Sequence, residues 1–148
     1  MPDPIHIAGV GARTPVGLQA APAAAAVRAG IAGLREHPYM VDGVGQPMPC
    51  ALDAQIDPDI TGTGRFLLLA DSALREACAP LGHLRRQPPA IPLFLGLPEL
   101  RPGFTEHDAV AIRTAMSQFE GPEARLSQVT LFPRRTCRRP CRTCGGPA

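Results

Sequence analysis

The chain has 148 residues and a hydrophobic content of 45%, which is enough to bury the core of one globular domain. Its net charge of +2 comes from five Arg after Leu126; the part before them is mildly acidic, which argues against a nucleic-acid-binding fold. No apolar run approaches the roughly 20 residues of a membrane span and no signal peptide is visible, so we expect a cytoplasmic protein with reduced cysteines.

The chain opens with a short β-branched apolar run over residues 5–10, which predicts a buried strand of an α/β sheet. Gly9 and Gly11 follow in a predicted turn. A Gly-x-Gly pattern after a strand also occurs in dinucleotide-binding loops. The third glycine of such a loop would fall at Thr14, which argues against nucleotide binding. A phosphate-binding loop of the Gly-Lys-Ser/Thr type is excluded because the chain contains no Lys. The glycines therefore predict a tight strand-to-helix turn.

A first helix is predicted over residues 19–29, where alanines dominate and Gly30 supplies the stop. Residues 35–60 are rich in Pro and Gly, so we expect irregular structure with at most one short strand near residues 50–52. A longer helix follows over residues 65–80, capped by Thr61 or Thr63. Its apolar stripe is wide, which predicts burial on more than one side, and its polar edge is Asp71, Arg75 and Glu76.

The second half of the chain repeats the strand-then-helix pattern. Residues 90–97 predict a second buried strand, with Pro92 near its start or on an unpaired edge. Thr105 is expected to cap a third helix that is ended by Gly121 and Pro122. The inward face of this helix is predicted to consist of Ile112, Ala115, Met116 and Phe119. This order of elements indicates an α/β layer architecture.

The pattern ends near Val129. Residues 129–132 can begin a strand, but residues 133–148 have no periodicity and little to bury, so we expect a disordered tail over residues 129–148. The tail is rich in Arg, Pro, Cys and Gly. We therefore hypothesise that it is an out-of-frame reading of GC-rich DNA, which resequencing of the locus would test.

Four segments carry a family resemblance. The first is Ile7-Ala8-Gly9-Val10-Gly11 with the following Thr14-Pro15-Val16-Gly17-Leu18, and the others are residues 26–31, 65–77 and 91–96. Taken together, residues 5–120 resemble the N-terminal part of a β-ketoacyl-acyl-carrier-protein synthase. The resemblance implies an incomplete thiolase-like layered α/β domain over residues 1–128. In the complete fold, two such halves form a five-layer sandwich, usually as a homodimer.

The same resemblance implies an acyltransferase reaction, the decarboxylative condensation of acyl and malonyl thioesters in fatty acid or polyketide synthesis. The family's nucleophile is a Cys at a helix N-terminus, assisted by two His, and both would lie beyond residue 148. We therefore expect a truncated, synthase-like chain that is inactive alone and has no catalytic, cofactor-binding or metal-binding residues. The implied partners are an acyl-carrier protein and a second synthase subunit, with no membrane and no specific nucleic acid.

Two other functions stay open. The chain can be a non-catalytic partner of an active synthase, comparable to a chain-length factor. Alternatively, it is a small metal- or nucleic-acid-binding protein that uses Cys137, Cys141 and Cys144, although their position at the chain end argues against an iron–sulfur site. Cys78 is expected to be a packed apolar residue, because the C-terminal end of a helix disfavours a thiolate. Cys50, in a Pro-rich loop, is also not expected to be catalytic. The His residues at 6, 37, 83 and 107 are scattered.

Overall fold

The structure is a computed structural model that describes residues 4–83 and 89–133. It confirms a small mixed α/β fold, with three helices and two separate two-stranded sheets in the described residues. In chain order the elements are α1 (Ala20–Arg28), β1 (Leu34–Val41), β2 (Pro47–Ala51), α2 (Gly62–Cys78), a short 3-10 helix (Ala79–His83), β3 (Ala90–Leu97), α3 (Glu106–Ser117) and β4 (Arg125–Pro133). The thiolase-like layering itself stays a prediction.

The predicted N-terminal strand is the first correction. Residues 5–10 belong to no strand of the described chain, and the side chain of Ile5 is 99% exposed. Instead, the segment Gly9-Val10-Gly11, here called the glycine segment, lies against α2. A Cβ on Gly9 or Gly11 would overlap the backbone carbonyl oxygens of Ala77 and Ala73, respectively. The two glycines are therefore needed for close approach to a helix, while no neighbouring strand in the described residues supplies a ladder.

The prediction of α1 is confirmed, and the irregular region after it is the second correction. Residues 34–51 form an antiparallel hairpin of β1 and β2 rather than one short strand. The turn between them is built by the Asp42 side chain, which accepts the backbone N–H groups of Val44 and Gln46. Because nearly all residues of β1 are exposed, the strand has no apolar alternation by which its sequence would reveal it.

The predicted helix over residues 65–80 is confirmed as α2, which lies at the centre of the fold. Thr61 occupies the N-cap position, although its side chain makes no capping hydrogen bond. The side chains of Phe66, Leu67, Ala70 and Leu74 pack toward the core formed with α3 and the β3/β4 sheet. Ala73 and Ala77 contact the glycine segment, so the wide apolar stripe of α2 covers two neighbours, as expected.

The unit β3–α3–β4 contains the best-packed core of the molecule. Strands β3 and β4 are parallel and α3 connects them, with Leu97, Ile112 and Met116 buried at the centre. Thr105 caps α3 in a reciprocal capping box with Asp108, which confirms the predicted start of the helix. Strand β4 extends through Pro133, so residues 129–133 continue a paired strand and the remaining predicted tail lies outside the described residues.

Within residues 4–83 and 89–133, only one face of the β3/β4 sheet is covered. Along β3, Ile91, Leu93, Leu95 and Leu97 point to the helices and alternate with exposed residues. The uncovered side, here called the outer face, carries Ala90, Pro92, Phe94 and Gly96 of β3 and, in register with the last three, Gln128, Thr130 and Phe132 of β4. The prediction that β3 is buried is therefore correct for one face. No helix in the described part of the chain is long and apolar enough to cross a membrane.

Candidate functional site

The densest polar cluster lies where the loop after the glycine segment meets α2. The carboxylate of Glu76 accepts the backbone N–H of Ala12 at 2.9 Å and that of Ala20 at 2.9 and 3.1 Å. Ala20 is the first residue of α1, so Glu76 satisfies one of the unpaired donors at that helix N-terminus and places negative charge beside it. One carboxylate of α2 thereby fixes both ends of the loop.

Arg13 anchors the same loop to the segment after β2. Its Nε donates to Asp53 Oδ2 at 2.6 Å, and the Asp53 side chain is almost completely buried. Burial by itself would raise the pKa of Asp53, but the hydrogen bonds from Arg13 and from the Gln55 N–H outweigh it and hold the pKa below its ordinary value. Asp53 is therefore ionised at neutral pH, and its interaction with Arg13 is a buried ion pair.

An open cleft of about 710 Å³ lies beside this cluster. Its charged and polar lining is Arg13, Gln19, Ser72, Arg75 and Glu76. Each charged group already has a partner, since Arg13 pairs with Asp53, Arg75 pairs with Asp71 at 2.8 Å, and Glu76 binds two backbone N–H groups. The cleft thus offers shape and charge balance, but no activated nucleophile or poised base.

Sequence reasoning identified Glu76 and Arg75 only as the polar edge of a helix, and it did not single out Arg13 or Asp53. The hydrogen bonds of Glu76 join residues 64 and 56 positions apart, and the Arg13–Asp53 pair spans 40 positions. No local spacing encodes such contacts. The only usable signal was the glycine pair, whose need for a close neighbour indicates that the loop docks on another element.

The two cysteines of the described chain lie far from any catalytic environment. Cys78 is 4% exposed at the C-terminal end of α2, and burial followed by the nearby charge of Glu123 raises the pKa of its thiol. It is thus a neutral packed thiol, in agreement with its sequence interpretation. Cys50 lies in β2, where its Sγ is 3.6 Å from the Arg35 carbonyl oxygen.

The histidines do not converge on one site. His6 precedes the glycine segment, His37 lies in β1, His83 ends the 3-10 helix and His107 lies in the first turn of α3. Residues 4–83 and 89–133 contain no group of three His, Cys, Asp or Glu side chains that could hold a metal ion. The predicted tail ligands Cys137, Cys141 and Cys144 lie outside these ranges.

Comparison of the chain with protein-family models, with curated proteins and with solved structures finds no match. The family interpretation consequently depends on the motif resemblance in residues 5–120.

Proposed function

We propose that this chain is one wall of a larger β-ketoacyl-synthase-like assembly and contributes surface rather than chemistry. The catalytic thiol and imidazoles of such an assembly belong to other polypeptide. In this role the chain is a non-catalytic member of the acyltransferase family, with a synthase subunit and an acyl-carrier protein as its implied partners. If the partner is a complete, active synthase, the chain acts like a chain-length factor.

The observation that carries the proposal is the uncovered outer face. Phe94 is 65% exposed and Phe132 is 52% exposed, and their rings lie side by side with centroids 5.7 Å apart. Parallel sheets occur almost always with both faces covered, because their strands are apolar on both sides. Strand β3 fits that description, since all eight of its residues are apolar or Gly, whereas β4 adds the polar Gln128 and Thr130 beside Pro92 and Phe94. A second layer over this face is what a layered α/β sandwich would provide.

The energetics favour such a cover. Burying a fully exposed Phe side chain contributes about 1.5–3 kcal/mol, and a whole domain is stable by only about 5–15 kcal/mol. Leaving Phe94 and Phe132 in water therefore forgoes an appreciable fraction of the stability of a domain of this size. The cluster around Glu76 supports a structural role too, because Arg13, Arg75 and Glu76 are each paired within the chain.

The experiment is a pair of matched substitutions. Phe94→Lys places a charge on the outer face, while Leu100→Lys places the same charge on an equally exposed residue (61%) that follows β3 and lies off that face. Each variant is co-expressed with a β-ketoacyl synthase subunit, and the recovered complex is measured by affinity capture and sedimentation. We expect the parent chain and Leu100→Lys to be captured equally and Phe94→Lys to be lost.

Activity gives the second readout. The purified chain alone is expected to form no 3-oxoacyl product from acyl and malonyl thioesters on a carrier protein. Condensation by the chain alone would overturn the non-catalytic role. Equal capture of Phe94→Lys and the parent, or a parent chain that sediments as a monomer whatever subunit is supplied, would overturn the role of the outer face.

A further inference from the structure

Strand β1 contains an irregular centre that is held by one imidazole. Pairing with β2 is regular at Leu34, Arg35 and Glu36 and resumes only at Val41, with a register shift between. Within this bulge, His37 Nδ1 accepts the backbone N–H groups of Tyr39 and Met40, each at 3.1 Å. The His37 imidazole therefore accepts two consecutive backbone N–H groups in a stretch of β1 that has no regular pairing with β2.

This arrangement requires a neutral imidazole. A neutral histidine presents one ring nitrogen as an acceptor, whereas the imidazolium has N–H donors on both nitrogens and accepts nothing. Protonation at Nδ1 would turn two hydrogen bonds into two repulsive contacts. Histidine is also the side chain that ordinarily changes charge between pH 5 and 8. We propose that His37 is a proton-operated switch of the β1–β2 hairpin, whose neutral form holds the bulge and whose protonated form releases it.

An aromatic ring and several titratable groups lie near His37 in the sequence or in space. The edge of the Tyr39 ring lies against the imidazole with centroids 6.2 Å apart, and the Tyr39 hydroxyl donates to Asp59 Oδ1 at 3.0 Å. The carboxylates of Asp59 and Asp57 act on Tyr39 from the segment after β2, and Glu36 and Arg35 precede His37 in β1. In β2 itself, Cys50 is the one titratable residue.

Release of the bulge has a defined structural consequence. The Tyr39–Asp59 hydrogen bond joins β1 to the segment that leads into α2, and its geometry depends on the bulge that places Tyr39. Tyr39, Met40 and Val41 are exposed apolar residues of the hairpin. Protonation of His37 thus changes the exposure of Tyr39, Met40 and Val41 in β1. It also weakens the Tyr39–Asp59 hydrogen bond that joins β1 to the segment before α2.

Tyr39 makes the test site-specific, because the chain has one Tyr and no Trp. A phenol that donates to a carboxylate is quenched, so intrinsic tyrosine fluorescence of the full chain reports directly on the Tyr39–Asp59 contact. We expect fluorescence to rise in a single transition as the solution is acidified through the range, pH 8 to 5, in which histidines ordinarily change charge. In His37→Asn the amide oxygen takes the place of Nδ1 but does not titrate, so this transition should be lost while the low fluorescence of the neutral state is kept.

Two controls separate the switch from general acid effects. His107→Asn removes a histidine of α3 and should keep the parent transition unchanged. In uniformly labelled parent protein, the amide resonances of Tyr39 and Met40 should shift with the same midpoint as the fluorescence, a readout that does not depend on any variant folding. The proposal is overturned if the parent shows no transition in this range, if His37→Asn keeps it, or if the two amides do not titrate.

Discussion

The close contact between the glycine segment and α2 predicts a large effect of one methyl group. Gly11 adopts a backbone conformation open to any residue, since its φ is not positive. A Cβ there would nevertheless overlap the Ala73 carbonyl oxygen and lie 2.8 Å from the Ala77 nitrogen. Both are backbone atoms of a helix and cannot move aside, so Gly11→Ala must lift the segment off α2. The cost therefore does not arise from backbone conformation.

The size of the effect follows from the contacts that are lost. Overpacking of this kind costs about 1–3 kcal/mol. Displacement of the segment also withdraws the Ala12 N–H from Glu76, which is a hydrogen bond to a charged group. We expect local opening at Ala12 and Ala20 to become easier by about 2 kcal/mol, which corresponds to about 30-fold faster amide exchange at both positions.

The assay is amide hydrogen exchange by NMR, with Gly43→Ala as the matched control. A Cβ on Gly43 meets no atom within 4 Å and its φ is also not positive, so this variant should exchange like the parent at Ala12 and Ala20. Glu76→Gln adds a double-mutant cycle: its effect on Ala12 should disappear once Gly11→Ala has displaced the segment. Parent-like exchange in Gly11→Ala, or full additivity with Glu76→Gln, would refute the contact.

Three further predictions concern the core, the ion pair and the thiols. Ile112→Ala should lower the free energy of unfolding by about 2–5 kcal/mol in urea titrations, because Ile112 is completely buried, whereas Val110→Ala on the exposed side of the same helix should change it by less than about 1 kcal/mol. The depressed pKa of Asp53 means that its contribution to stability is complete at neutral pH and is lost below about pH 4; Asp53→Asn should remove that acid-dependent part from a pH series of unfolding midpoints. Iodoacetamide at pH 8 should label Cys50 faster than Cys78, as measured by peptide mass mapping, since Cys78 is buried and its pKa is raised; equal rates would contradict the packing of α2.

The elements that could be predicted from sequence are those with a strong local pattern. Strand β3 and helices α1, α2 and α3 lie within a few residues of their predicted ranges, because apolar periodicity, a stop at Gly30 and a capping box at Thr105 are all local signals. The pairing of β-strands was harder to predict from the sequence. Strand β1 has no buried face to produce alternation, and the run at residues 5–10 has the composition of a strand without a partner in the described chain.

The candidate site was the part least open to prediction. Its interactions join the loop after Gly11, the segment around Asp53 and the middle of α2, which meet only when the chain has folded. Glu76 and Asp53 look in sequence like ordinary surface carboxylates. What distinguishes them is burial and the identity of their donors, and both are properties of the tertiary structure.

The central position of α2 has a consequence for the order in which the chain folds. The pairing of β3 with β4 joins residues 35 or 36 positions apart, whereas the bonds of Glu76 close loops of 64 and 56 residues. Shorter loops form first, so we expect the C-terminal unit and α2 to assemble early and residues 4–20 to dock last. During synthesis those residues leave the ribosome before their docking surface exists, and they spend that interval as an unattached apolar segment open to capture by chaperones or by neighbouring chains.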